Sequence, residues 1–188
     1  MDIAYLKEEE IEQKVDIILD KAFKMGIYNK NEATPLVLII EHILGYQIIY
    51  EELEKHQIGA IGMIDCASKV IWLDQSLDYE KGNLSDEGRH NFTLGHEIGH
   101  FALHYNLSQS ENMELLYHEN NSSQKRIEIQ ANLFASMLTM PRSLMIKKWD
   151  HDFCSCLDFE QKIYKMTSFF RVSRQALKYR LDNLGLSS

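Results

Sequence analysis

The segment from residue 91 to residue 105, NFTLGHEIGHFALHY, constrains the fold more than any other part of the 188-residue chain. It contains the pentapeptide HEIGH, the pattern H-E-x-x-H, between His96 and His100. Residues four apart on a helix lie on one face, so both imidazoles can point at one metal ion. The apolar flanks predict a buried helix, in which unpaired polar side chains are costly. We therefore expect these histidines to have a common partner.

Glu97 lies about 100° round the helix from His96, since an α-helix has 3.6 residues per turn. Its carboxylate can reach a water on a metal held by the histidines without being a ligand itself. This arrangement is typical of zinc-dependent peptidases, with Glu97 as the catalytic base. The alternative is an ordinary helix in which two histidines recur by chance.

A catalytic zinc site needs a third protein ligand and an open position for water. His104 continues the four-residue spacing, but about 12 Å separates it from His96 along the helix axis at 1.5 Å per residue. Zinc–nitrogen bonds are only about 2 Å long. We therefore expect His104 to pack beside the ligands or in the core. A third histidine six residues after His100 is also excluded, because that position is Asn106.

A second helix, predicted from about residue 125 to residue 139, offers a better third ligand. Glu128 and Asn132 are four apart and share a face, so Glu128 can bind the metal and Asn132 can hydrogen-bond a ligand imidazole. The opposite side of this helix is apolar: Ile127, Ala131, Phe134, Ala135 and Leu138. The alternative is that Glu128 is one solvated acid among the 28 acidic residues of the chain.

The remaining segments predict an α+β fold. Helices are expected over about 7–25 and from Thr34-Pro35 to Gly45, with Thr34 as the cap. Three segments rich in β-branched and aromatic residues are predicted strands: 46–50, 58–64 and 69–73. We expect a small three-stranded antiparallel sheet beside the HExxH helix and the second ligand-bearing helix. The HExxH helix should be capped by Ser85 and end near Tyr105, and a polar loop should follow from 106 to 124.

Composition indicates an ordinary soluble globular protein, with 45% apolar and 26% charged residues. The chain has no apolar run of 18 residues, and its acidic start lacks the features of a secretory signal. Its three cysteines do not make a disulfide framework. A cytoplasmic location is the expectation. His151, Cys154 and Cys156 suggest a soft metal site, but a fourth ligand is not evident.

Charge is unevenly distributed along the chain, whose net charge is −8. From Gln161 onward there are six basic residues and one acid, net +5, which leaves −13 for the rest. Residues 162–181 resemble a helix-turn-helix, with Ser173 capping a last helix that ends at Gly185. This segment either packs on the acidic remainder or contacts DNA. We expect a metallopeptidase core over 1–140 and a C-terminal, helix-turn-helix-like subdomain over 141–188, packed on the core.

The combination of RHNFTLGHEIGHFALH with EIQANLFASMLTMP resembles the ImmA/IrrE family of metallopeptidases. The most specific parts are HEIGH and the pattern ExxAN-x-FA followed by Met-Pro. The resemblance covers most of the chain, because TPLVLIIEHILGYQIIYEEL is similar to the helix and strand with which the family's domain begins. The end, FFRVSRQALKYRLDNLGL, is similar to its C-terminal region.

This resemblance implies that His96, His100 and Glu128 bind Zn²⁺ and that Glu97 is the catalytic base. Many members carry an acid where this chain has Gln130. We expect this difference to alter a residue next to the site and to leave the site itself unchanged. Family members are small cytoplasmic enzymes, often carried on prophages and mobile elements, that cleave helix-turn-helix repressors encoded nearby. The implied function is a zinc endopeptidase that derepresses mobile-element or stress genes. The alternative is a DNA- or repressor-binding module with a non-catalytic metal site.

Overall fold

The computed structural model describes residues 6–53, 61–78, 87–108, 121–152 and 157–186. The strands are β1 (Gln47–Glu51), β2 (Gly62–Asp65) and β3 (Val70–Asp74). The helices within these ranges are α1 (Glu8–Lys24), α2 (Leu36–Ile39), α3 (Glu87–Ser108), α4 (Asn121–Thr139), α5 (Arg142–Lys147), α6 (Phe159–Phe170) and α7 (Arg174–Leu184). The π-helical turns Ile40–Leu44 and Lys148–Asp152 extend α2 and α5, and a 3₁₀ turn, Gln75–Leu77, follows β3.

The three strands form one mixed sheet in the order β1-β3-β2. The predicted α+β class is confirmed, and so is the antiparallel hairpin of β2 and β3. The prediction of a wholly antiparallel sheet is wrong, because β1 runs parallel to β3, with Ile48 opposite Ile71. A meander would place β1 next to β2. Among the described strands, β3 is instead central, with β1 on one side and β2, an edge strand, on the other.

The first turn of α2 differs from the predicted Thr34 cap. The helix begins at Leu36, and the preceding Pro35 makes no side-chain cap hydrogen bond. The hydroxyl of Thr34 instead donates to the carbonyl of Leu138 in α4, at 2.8 Å. This contact across 104 residues fastens the start of α2 to α4. The predicted end of this helical segment at Gly45 is confirmed by its left-handed φ of 73°.

The two long helices α3 and α4 extend further into the predicted 106–124 loop than expected. α3 continues to Ser108, and α4 begins at Asn121. The rest of that loop lies outside the described residues, as do Ser85, the start of the second predicted strand, Cys154 and Cys156. Within the described ranges, no helix combines the length and apolarity that crossing a membrane requires.

Two clusters of buried apolar side chains organise the molecule. The first joins α1, α2, the sheet, α3 and α4, with Ile39, Ile71, Leu94, Ile98 and Phe134 fully buried. The second lies where the end of α4 meets α5, α6 and α7: Met140, Leu144, Met145, Ile163, Met166, Phe170, Val172, Leu177 and Leu181. The expected division of the chain at residue 140 stays a prediction.

Arg180 of α7 links the second cluster to the first. Its side chain is only 1% exposed. Its Nε donates to the carbonyl of Met140 at 3.1 Å, and its terminal nitrogen donates to Glu12 of α1 at 3.4 Å. A buried guanidinium needs such partners, since desolvating a charge is costly. The guanidinium therefore fastens the C-terminal helices to α1 and to the end of α4.

The turn between α6 and α7 lies against the start of α3. Arg171 forms an ion pair with Glu87, the first residue of α3. A methyl group at Gly88 would stand 3.0 Å from the carbonyl oxygen of Arg171, so the two backbones are in close contact. The predicted cap of the last helix is confirmed, because the Ser173 hydroxyl accepts from the amide of Ala176.

Candidate metal centre

Small residues at the crossing of α3 and α4 let the two helices approach closely. A methyl group at Gly95 would stand 3.1 Å from Cα of Ala135, and one at Gly99 would stand 3.0 Å from Cα of Ala131. Gly99 lies within the HEIGH pentapeptide, between Glu97 and His100. Because a larger residue there would separate the helices, this glycine permits side chains of α4 to reach those of α3.

The close crossing brings together His96, His100 and Glu128. Their ligand-type atoms lie within 4.8 Å of one another, in a group found among the described residues. The two Nε2 atoms are 2.9 Å apart, and the Glu128 carboxylate oxygens lie 3.3 Å from His96 and 3.5 Å from His100. A tetrahedral ion with bonds of about 2.0–2.2 Å would separate its ligand atoms by roughly 3.3–3.6 Å. The two carboxylate–imidazole distances lie in this range and the two nitrogens stand slightly closer, so the group is close to the dimensions of a three-ligand metal site.

Asn132 determines which nitrogen of His96 carries the proton, and therefore which nitrogen presents a lone pair to His100 and Glu128. Its Oδ1 lies 3.0 Å from Nδ1 of His96. An amide oxygen only accepts hydrogen bonds, so Nδ1 carries the proton and Nε2 of the neutral ring is a lone-pair donor. A hydrogen bond of this kind fixes the tautomer of a metal-binding histidine.

The donor atoms suit a cation, because each presents negative charge to the same point. The hydrogen bond with His96 holds the pKa of Glu128 below its usual value, so this carboxyl is ionised at neutral pH. Burial, together with the charge of His96, lowers the pKa of His100 to about 4, so its ring is neutral. Although burial opposes the shift, Glu128 and Glu97 raise the pKa of His96, so a proton on that ring offsets the carboxylate charge when no cation is bound. A bound cation would take the place of that proton. The residues present therefore fit a divalent metal such as zinc.

Glu97 lies beside this group and is only 7% exposed. The pKa of its carboxyl is raised to about 7, because burial raises it, His96 partly opposes the shift, and the charge of Glu128 adds to it. A group that titrates near neutral pH can both accept and return a proton under working conditions.

Gly62 of β2 is a feature of the site that lies within the second predicted strand and far along the chain from the two helices. A methyl group there would stand 2.6 Å from Cγ2 of Thr93 and 2.7 Å from Oε1 of Glu97. The edge strand therefore passes directly over the carboxylate of Glu97. A glycine in a strand signals that another group approaches the backbone closely, but the sequence did not indicate which group.

Two buried polar side chains on the same helices, His104 and Gln130, are not members of the group. His104 is buried, and its ring centroid lies 6.2 Å from that of His100. It is not among the three grouped residues. Within the part of the chain that the structure describes, Nε2 of His104 and both polar atoms of Gln130 lack a hydrogen-bond partner. Gln130 is buried on α4, two residues after Glu128.

Comparisons with known proteins agree with this geometry. The IrrE N-terminal-like domain model of the peptidase M78 family matches residues 42–182. A solved structure of a Mycobacterium tuberculosis transcriptional regulator is similar, with a TM-score of 0.51 and 12% identity. The match covers 93% of this chain and 51% of the other, so this chain spans about half the length of the regulator. At this identity the likeness shows the fold alone. None of the curated protein sequences matches significantly.

The family match includes every residue of the candidate centre, from Gly62 on β2 to Asn132 on α4. It also includes both C-terminal helices almost to the end of α7. The resemblance of the two ligand helices to one peptidase family is thereby confirmed by a match over most of the chain. The chain belongs to the ImmA/IrrE family, the peptidase family described by the IrrE N-terminal-like domain.

Proposed function

We propose that this protein is a zinc-dependent endopeptidase in which His96, His100 and Glu128 hold the metal. The observation that carries the proposal is the convergence of two imidazole Nε2 atoms and one carboxylate beside the buried carboxyl of Glu97. When bound, a zinc ion would polarise a peptide carbonyl and make a water more acidic.

Glu97 would act as the proton carrier of this reaction. Its pKa of about 7 suits a group that accepts a proton from the attacking water and passes it to the leaving amine. Burial keeps bulk water away from the carboxyl. Asn132 would position the ring of His96 through the Nδ1 hydrogen bond, and it would not take part in proton transfer.

The edge strand β2 favours a polypeptide as the substrate. Among the described strands it is paired only with β3, so its other edge can accept an extended peptide as an added strand. Gly62 brings this edge to the carboxylate of Glu97. A peptide paired there would pass the catalytic base in an extended conformation, which exposes one peptide bond at a time.

We further propose that the substrate is a cytoplasmic helix-turn-helix repressor encoded near this gene. Its cleavage would release the mobile-element or stress genes that it controls, including those of a prophage. Family membership supports this substrate class, and the similar fold of a transcriptional regulator is consistent with a role in gene control.

The test is incubation of the zinc-loaded protein with the neighbouring repressor, with and without a chelator. Glu97→Gln should retain zinc and lose cleavage, because the amide cannot accept the proton. Glu128→Ala should lose zinc. Glu9→Gln, an exposed substitution on α1, is the matched control and should cleave as the parent does. Absence of cleavage by the parent with every divalent metal tried, or parent-like zinc affinity of Glu128→Ala, would refute the assignment.

A DNA-binding module is the second candidate, because α6 and α7 are joined by a short turn and α7 exposes Arg174 and Lys178. Several cations of this region are already paired within the protein: Arg171 with Glu87, Arg174 with Glu160 and Arg180 with Glu12. These pairs favour packing over phosphate contacts. DNA affinity that falls steeply with salt, and that Lys178→Ala reduces, would favour the DNA-binding module.

A further inference from the structure

A cleft of about 710 Å³ lies next to the candidate metal centre, between α3, α4, the start of β2 and α7. Two of its lining residues belong to the neighbourhood of the centre. Asn132 is the hydrogen-bond partner of His96, and Thr93, like Glu97, lies close to Gly62 of β2. The cleft is therefore continuous with the surface on which a peptide bond would be cleaved.

The walls of the cleft are mainly apolar. Three large apolar side chains that remain exposed line it, namely Ile61, Ile129 at 51% and Tyr179 at 69%. Exposed apolar side chains that gather in one concave surface mark a binding site more often than scattered ones do. Among the described residues that line the cleft, the charged ones are Glu8 and Arg89, which have opposite signs. Such a surface suits an apolar polypeptide segment and offers little net attraction to phosphates.

One face of α7 forms a wall of this cleft. Gln175, Tyr179 and Asn183 are spaced four apart, so they share a face, and all three line the cleft. A helix-turn-helix protein presents the corresponding helix to the major groove of DNA. Here that face is directed toward the space beside the metal centre. Its two amide side chains can donate to and accept from peptide groups, while the tyrosine ring supplies apolar contact.

The path of a bound peptide also leads into the cleft. Gly62 of the edge strand lies over Glu97, and the preceding residue, Ile61, lines the cleft. A segment that pairs with the edge of β2 and continues past Ile61 would therefore enter the space between α4 and α7. An extended chain rises about 3.3 Å per residue, so a few residues on one side of the cleaved bond would occupy it.

We propose that this cleft binds an extended, mainly apolar segment of the protein substrate on one side of the cleaved bond, and that α7 recognises that segment. This inference rests on the proposed endopeptidase function. In this proposal, Ile129 and Tyr179 select the substrate through apolar contacts. The helix-turn-helix-like region then binds the protein substrate and not DNA.

The test uses zinc-loaded Glu97→Gln protein, which should bind peptides without cleaving them. The probes are fluorescein-labelled ten-residue peptides that differ only at three central positions, occupied by leucine, serine or aspartate. Fluorescence anisotropy should show the leucine peptide binding at least about tenfold more tightly than the others, the effect of burying one large apolar side chain. Equal affinity of the three peptides, or no binding by any of them, would overturn the proposal.

Substitutions localise the binding. Adding Tyr179→Ala or Ile129→Asp to the Glu97→Gln protein should weaken leucine-peptide binding about tenfold, while zinc content and thermal unfolding stay unchanged. Tyr164→Ala and Ile146→Asp are the matched controls, because both residues are exposed and neither lines the cleft. If the control substitutions weaken binding as much as the cleft substitutions do, the cleft is not the binding site.

Cleavage by the protein with native Glu97 separates the two proposals. If the cleft substitutions raise KM for the repressor with kcat little changed, both proposals hold. If cleavage is normal in those variants, the cleft proposal fails and the endopeptidase proposal stands. If no substrate is cleaved although the cleft substitutions abolish leucine-peptide binding, the endopeptidase proposal fails and the binding site stands.

Discussion

Gly62 and Glu97 touch across the space between the edge strand and the HEIGH helix, so that a methyl group at residue 62 would stand 2.7 Å from Oε1 of Glu97. The side chain of Glu97 is buried. The strand backbone thus forms one wall around the proposed catalytic base. The position of this base depends on a residue that itself carries no reactive group.

Gly62→Ala should therefore impair cleavage without removing the metal. The added methyl group would displace the Glu97 carboxylate, and a misplacement of about 1 Å can lower a rate roughly 100-fold. We expect kcat to fall by about 10- to 100-fold while zinc content stays that of the parent. Met63→Ala, on the opposite face of the same strand, is the control. A parent-like kcat for Gly62→Ala would show that the contact does not position Glu97.

Asn132→Ala should weaken zinc binding, because the His96 ring would lose the acceptor that holds its proton on Nδ1. Loss of such a hydrogen bond typically costs about 10- to 100-fold in metal affinity. Competition with a chromophoric chelator measures the change. Asn132→Asp keeps an acceptor and should retain most of the affinity, and Asn183→Ala on α7 should have no effect. Equal affinities for Asn132→Ala and the parent would exclude this role.

Arg180→Met should lower the free energy of unfolding by about 2–3 kcal/mol, since it leaves the Met140 carbonyl without its charged donor. Arg180→Lys should also destabilise, because one ammonium group cannot reproduce the planar guanidinium. Urea denaturation measures both changes. Lys178→Met, exposed on the same helix, is the control. If Arg180→Met is as stable as the control, the buried guanidinium does not fasten α7 to the core.

His90 should make the protein less stable in mild acid. Its ring is fully buried, and Nε2 lies 2.8 Å from the Tyr50 hydroxyl. Burial lowers the pKa of His90, although Asn91, Glu87 and Asp78 oppose the shift. The unfolded chain, with a histidine pKa of about 6.5, then takes up a proton that the folded protein does not. Stability contributed by neutral His90 is present above that pH and is lost as the pH falls below it.

The measurement is the free energy of unfolding of the parent and His90→Gln between pH 5 and pH 8. Below about pH 6.5 the parent should lose stability more steeply, by up to about 1.4 kcal/mol per pH unit for one proton. Comparing the two proteins cancels the contributions of the other histidines. Parallel curves would show that His90 is not the group responsible.

Local features of the fold were predictable because they depend on neighbouring residues. The ends at Gly45 and Gly185 follow from the ease with which glycine adopts a left-handed conformation, and both have it. The Ser173 cap is equally local. The Thr34 cap was wrong because a tertiary hydrogen bond to Leu138 took the hydroxyl instead. The parallel pairing of β1 with β3 was missed because hydrophobic patterns do not encode which strands become neighbours.

The sequence by itself determined the residues of the candidate centre, because spacing of four on a helix dictates that side chains share a face. This spacing pairs His96 with His100, and likewise Glu128 with Asn132. Only the tertiary structure decided how the two pairs meet, since that depends on the crossing of α3 and α4 at Gly99. It also decided that Gly62 encloses Glu97 and that α7 lines the adjoining cleft, because such contacts join elements far apart in the chain.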